Sequence, residues 1–596
     1  MTPEQEQTRS AAPKRQHILK AILSLSVLSL LPGCSMMQTQ ADQARGATLN
    51  PAVAATTAET DEATAPIPKD TLYSLMVAEF AGHRHQYDVA MDLYLQQAAT
   101  TGDAGIAERA LRIAQYTGNN PGVAEASTIW LAADPDDPAA VQSAAQVALA
   151  QQDYGTSLRY YTRFYELTGI GQFDFFAATA ATTKGADMHA VLQSLESVAL
   201  QYPQESNLWY ARAIAEQALE QNAAAIRHID EALRYNPDLL TAAIQKGRIL
   251  AADGQLDSAI GWLGKLRRQH PDNKQISLLF ARLQLQKGKL SSARDVFADL
   301  YDTYPEDSQI LLSLALLEEE LDEREEAAQH FQELLNRNQH QNEAHYYLGR
   351  IAEDNNDPWQ ALDHYQQVMN SREFLPAQLA AARVINSTEG TDEAVTYLQR
   401  QAQIYPEHAS QLTRVQTDLL LSAGQTNKAL QYLTDALSKH PDDENLLYTR
   451  SMVADRAGDK AMMEQDLRRI LQSNPDNAEA LNALGYSLTL TEGRLDEAEP
   501  LITRAIELQP DNAAIIDSLG WLYFRQGRIN DAGPLLLDAW NRMKDHEVAA
   551  HLGEWYWVTG ERKEARKIWK EGLILEPDSK IILETLQRFQ LQPDAL

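Results

Sequence analysis

One cysteine, Cys34, is present in 596 residues. With no second thiol in the chain, an intrachain disulfide is excluded in any redox compartment. Long apolar runs are equally scarce. The run from Ala21 to Leu31 is too short to cross a bilayer as a permanent helix, and no later segment has the apolar length to span. Basic residues are in deficit, 52 Lys and Arg against 83 Asp and Glu, for a formal net charge of −31. That sign opposes nucleic-acid phosphate and anionic lipid, so no nucleic-acid partner is expected. It favours partners with basic patches, although an acidic face kept for solubility accounts for it equally well.

What is present begins with Lys14, Arg15, His17 and Lys20 ahead of the apolar run, the basic and apolar parts of a secretory signal. The run ends in Leu31-Pro32-Gly33-Cys34, which resembles the bacterial lipobox: an aliphatic residue, two small ones, then a cysteine that is diacylated before cleavage. The resemblance implies a signal peptide over residues 1–33 and a lipid anchor on Cys34. The alternative is an incidental thiol behind an ordinary signal peptide. Acyl chains add about 0.8 kcal/mol per buried methylene and would hold a soluble body at a membrane. Ser35, where inner-membrane retention would show aspartate, implies by similarity to sorted lipoproteins the periplasmic face of the outer membrane. Cleavage removes four Lys/Arg and two Asp/Glu, leaving −33. Residues 34–68 then comprise the lipidated cysteine and a tether rich in Ala, Thr and Gln, with too few large apolar groups to offset the entropy of ordering. Its random-coil span is on the order of 30 Å.

The remainder is one pattern repeated. Pro203, Pro237, Pro271 and Pro305 are spaced by 34 residues, and Pro135, Pro406, Pro441, Pro475, Pro510 and Pro577 continue the punctuation. Between prolines each unit reads as two amphipathic helices, A and B. In the unit that begins at Ala478, Leu484, Gly485 and Leu488 mark helix A, while Ala498, Ile502 and Ala505 mark helix B. Small residues let the two backbones approach. Proline stops helix B, and the Asp or Asn that follows, as in Pro441-Asp442-Asp443, is suited to cap the next helix A. This resembles the tetratricopeptide repeat, with Trp209, Gly247, Phe331, Gly349, Tyr365 and Gly520 at its signature positions.

The fold expected is all-α: a right-handed superhelix of about fifteen helix pairs over residues 69–577, then a capping helix and tail over 578–596. The pattern is weakest at 168–173, 336–344 and 370–377, where the proline is missing or displaced and distorted units are expected.

Catalytic patterns are absent. The stretch from His546 to His551 spaces its histidines at i and i+5, about 100° further round a helix than the i, i+4 pair of a zinc protease, so the rings diverge. His83, His85, His340 and His345 come without a clustered ligand set and read as solvent-facing. Gly169 and Gly171 lack a third glycine and a preceding strand, and no Walker or G-x-S-x-G pattern occurs. No cofactor, metal or enzymatic activity is expected.

If helix A positions 5, 9 and 12 face the groove, as in the repeat family, the last three repeats present Asn482, Tyr486 and Thr489, then Asp517, Trp521 and Phe524, then Ala550, Glu554 and Trp557. Tyr486, Trp521, Phe524 and Trp557 then form an aromatic row flanked by Asp517, Arg525 and Glu554, the composition of a protein-binding hot spot. Packing between repeats or under the closing helix would explain the same residues.

The order of segments sharpens the resemblance: lipobox, tether, the opening residues 73–98 and 105–118, and the closing residues 482–488, 517–528 and 546–573. Over nearly its full length the chain looks like a pseudomonad-type outer-membrane repeat lipoprotein, the adaptor of a periplasmic carboxyl-terminal processing protease. That family implies a non-catalytic scaffold that binds the protease, promotes its active assembly and brings in substrates such as peptidoglycan hydrolases. Holding enzyme and substrate on one body raises their local concentration. A scaffold for envelope assembly or polysaccharide export, or an enzyme with an unrecognised site, are the other readings.

Overall fold

After Pro441, Pro475 and Pro510 the two following residues have separate roles. A computed structural model describes residues 68–596; the signal segment, Cys34 and most of the tether lie outside them. Asp442, directly after Pro441, meets Arg469 of the following helix B at 2.9 Å. Asp443 accepts the backbone N–H of Leu446 at 3.0 Å and so caps helix A. The next two units repeat the arrangement: Asp476 pairs with Arg504 and Asp511 with Arg542, while Asn477 and Asn512 cap. The cap thus falls on the second residue after the proline. Each exposed ion pair is worth less than about 1 kcal/mol, so their contribution is to register more than to stability.

Thirty-one α-helices, from Lys69–His83 to Lys580–Arg588, and no strand occur among the described residues. Thirty of them form fifteen successive A/B pairs and the last closes the array. The helix A glycine exists because a helix B side chain lies against its backbone. A Cβ on Gly349 would stand 2.6 Å from the Tyr365 ring, and one on Gly485 2.5 Å from Ile502. At the A–B turn, Gly254 and Gly527 have φ of +76° and +80°, which a glycine adopts without steric cost.

Contacts divide the chain between Leu334 and Leu335 into two compact units. The first carries a core that includes the fully buried Tyr161, Phe173 and Phe176, and the second one that includes Tyr365, Phe374 and Trp569. The irregular stretches of sequence mark local departures. Helices Phe173–Thr182 and Pro358–Gln367 have only 10 residues each, and His340 takes a left-handed φ of +47°.

Within the first unit the stack also buries two glutamates, each against a histidine. Glu216 and Glu318, each 4% exposed, accept from His228 Nδ1 at 2.7 Å and His330 Nδ1 at 2.6 Å. The Glu318 bond raises the His330 pKa above its ordinary value of 6.5, against the opposing effect of burial. The folded protein therefore holds this proton more tightly than the unfolded chain. The resulting stabilisation is fully present below about pH 6.5 and is lost as pH rises through the raised folded-state pKa. His330→Gln should flatten the fall in Tm across that interval in melts taken from mildly acidic to alkaline buffer; a slope equal to the parent's would assign the pH dependence to other groups.

Candidate partner-binding surface

Three consecutive A helices, Ala478–Thr489, Ala513–Arg525 and His546–Val558, pack side by side, each touching the next beyond the helix B between them. Their apolar positions face the intervening B helices, which leaves positions 5, 6 and 9 to meet one another along a shared wall. There the structure joins Tyr486, Asp517, Trp521 and His551, which the sequence offered only as a rejected zinc ligand and not as a groove residue. His551 is 1% exposed, with Nδ1 2.8 Å from Asp517 Oδ2 and Nε2 3.2 Å from the Tyr486 hydroxyl. An ionised carboxylate only accepts, so Nδ1–H donates to Asp517, and in the neutral ring Nε2 accepts from Tyr486. Burial, reinforced by Glu547 and Asp517, pushes the Tyr486 hydroxyl well above its usual pKa and keeps it a donor.

Trp521, 4% exposed, stacks on the His551 ring at 4.1 Å between centroids and on Phe524 at 5.1 Å. The Arg525 guanidinium lies 5.9 Å from the Trp521 ring centroid; Phe524 is half-buried and Arg525 exposed. Glu547, at position 2 of the third helix, is solvent-accessible yet ringed by protein. Desolvation, with Asp545 and Asp517 nearby, raises its carboxyl pKa despite His551 and His546. Three polar atoms on this wall have no hydrogen-bond partner: Asn482 Oδ1, Asp517 Oδ1 and Trp521 Nε1. Leaving such a group unpaired costs about 1–3 kcal/mol.

Glu554 and Trp557 belong to a different neighbourhood. Glu554 makes a two-bond pair with Arg588 of the closing helix, at 3.0 and 2.6 Å. Trp557 packs against Phe589 at 5.7 Å and Trp569 at 5.8 Å, with the Arg562 guanidinium 5.1 Å from its ring. The row read from sequence is therefore two clusters, one on the A-helix wall and one under the closing helix. Period was the signal that would have found the missing members: His551 stands 34 residues after Asp517, and Arg588 stands 34 after Glu554.

His546 bonds Ser579 at 2.9 Å while His551 turns to Asp517, so the two rings diverge. Among the described residues no group of three or more His, Cys, Asp or Glu is arranged to hold a metal ion, and no helix is long and apolar enough to cross a membrane.

The tetratricopeptide-repeat family matches residues 250–317 and 489–552 in one version of the repeat and 210–274, 312–370 and 464–513 in another. TPR repeat-containing protein PA4667 of Pseudomonas aeruginosa is 41% identical over 541 residues, covering 90% of each chain. Uncharacterized protein y4yS of Sinorhizobium fredii is 32% identical over 113 residues, 19% of this chain and 60% of that one. Of solved structures, yeast Tom70 overlaps 76% of this chain and 95% of its own at 14% identity and a TM-score of 0.32. A tetratricopeptide-repeat protein from Parabacteroides merdae overlaps 41% and 98% at 17% identity and a TM-score of 0.33. With the 34-residue period realised as successive helix pairs and PA4667 alike over nine-tenths of both chains, this chain belongs to the tetratricopeptide-repeat proteins.

Proposed function

We propose that this repeat protein is a non-catalytic scaffold, anchored through Cys34 at the periplasmic face of the outer membrane. It binds and activates a carboxyl-terminal processing protease and presents substrates such as peptidoglycan hydrolases to it. The observation that carries the binding role is the shared wall of the last repeats. There Asn482 Oδ1 and Asp517 Oδ1 are unpaired acceptors and Trp521 Nε1 an unpaired donor, beside Phe524 and Arg525. A docked chain brings amide N–H and C=O groups that complement such a set, and the aromatic edge supplies apolar contact. The identity of the partner rests on the resemblance set out for the whole chain.

The test is capture of the protease, inactivated at its nucleophile, by the full chain. Trp521 is too deeply buried for a clean binding variant, so Phe524→Ala with Arg525→Ala is the appropriate change. It is expected to weaken capture by about tenfold or more, the loss of at least one hot-spot contact, with the melting curve unchanged. Equal capture by the variant would remove this wall from the interface, and no capture by the parent would remove the protease as partner. In the native host Cys34→Ala should abolish incorporation of labelled palmitate into the protein; labelling equal to the parent's would overturn the anchor.

A further inference from the structure

Tetratricopeptide geometry brings residue 4 of a unit onto residue 23. In the unit beginning at Ser206 these are Trp209 and His228, whose rings stack at 5.4 Å. In the unit beginning at Leu240, Trp262 donates its Nε1–H to the Ala243 carbonyl at 2.8 Å. The unit beginning at Asn342 has histidine at both positions, on helices Gln341–Asp354 and Pro358–Gln367. His345 Nδ1 and His364 Nδ1 face each other at 3.1 Å, and both side chains are half-buried. The sequence shows His345 with His340 near a helix start and no clustered ligand set, which reads as solvent-facing.

We propose that His345 and His364 form a two-histidine site for a borderline divalent transition ion such as Zn²⁺, with solvent completing the coordination. Two nitrogens each about 2.0–2.1 Å from one tetrahedral ion are about 3.3–3.4 Å apart, so the pair needs to open by only a few tenths of an ångström. Without an ion the two nitrogens must share a proton, because two imidazole lone pairs aimed at each other repel. An ion takes the place of that proton and uses both lone pairs. Burial, and for His345 its neighbour His364 as well, lowers both imidazole pKa values and keeps the rings neutral at physiological pH. Asp363, exposed and adjacent in sequence to His364, adds local negative charge, and the strongly acidic chain attracts cations at longer range. Since the ligands come from both helices of one repeat, the ion would staple that pair together.

The experiment is Zn²⁺ titration of the untagged full chain, read by calorimetry and by thermal melting with and without chelator. Saturable binding of one ion at this site, with a rise in Tm that chelator reverses, is expected. His345→Gln and His364→Gln should each weaken it by roughly tenfold or more, at least the loss seen when an outer-shell partner of a metal ligand is removed. His345→Trp recreates the pairing of Trp209 with His228, so it should keep the fold while losing the ion. Absence of saturable binding in the parent, or affinity unchanged in His364→Gln and His345→Trp, would overturn the site.

Discussion

His551→Leu is expected to destabilise the last repeats by about 3–5 kcal/mol, the cost of leaving a buried charge without its partner. The substitution keeps an apolar side chain of similar bulk under Trp521, so the loss isolates the polar pairing. Asp517, 5% exposed, already has one carboxylate oxygen unpaired and would then have neither satisfied, and the Tyr486 hydroxyl would lose its acceptor as well. Repeat arrays couple mainly between neighbours, so amide hydrogen exchange should accelerate across residues 478–589 and stay unchanged in residues 68–334. Adding Asp517→Leu should recover much of the loss, because replacing both members of a buried pair by apolar groups is often close to neutral. Unchanged exchange in the single variant, or no recovery in the double, would show that the His551–Asp517 bond does not hold these repeats together.

Trp569→Ala is expected to cost about 3–5 kcal/mol, the usual range for emptying a large buried aromatic site. Trp569 has no exposed surface, donates its Nε1–H to the Ala550 carbonyl at 3.3 Å and packs with Trp557 and Phe589. Gly553 leaves room for the indole, since a Cβ there would collide with the ring. The closing helix Lys580–Arg588 docks on this cluster through Ile582 and Leu586. Limited proteolysis should therefore release the residues after Leu575 while the preceding pairs persist; a closing helix still protected would place its anchorage in the Glu554–Arg588 pair instead.

Both effects concern residues whose type was plain in the sequence and whose neighbours were not. Proline punctuation and the helix A glycines identified the repeat because each answers a local demand: a chain that must stop, or a backbone that another side chain must approach. Gly349 against Tyr365 and Asp443 capping Leu446 follow from positions within one period. Trp521 and Trp557, by contrast, occupy comparable groove positions and read alike, yet one stacks on His551 and the other lies under the closing helix. Their difference depends on which side chains the next unit or the terminal helix offers, and single-repeat consensus does not carry that. His345 and His364 are separated by 19 residues and an intervening turn, and only the A–B packing sets their nitrogens face to face.

By itself, then, the sequence determined the all-helical repeat architecture, the acidic composition, the exclusion of an intrachain disulfide and the groove candidates, because these depend on periodicity, composition and local backbone chemistry. Tertiary structure alone decided that the candidates divide into two clusters, that His551 ties Tyr486 to Asp517 across two repeat lengths, and that polar atoms of Asn482, Asp517 and Trp521 are left without partners. Those features arise from side chains one or two periods apart meeting across packed helices, where a rotation of one ring changes which atoms are satisfied.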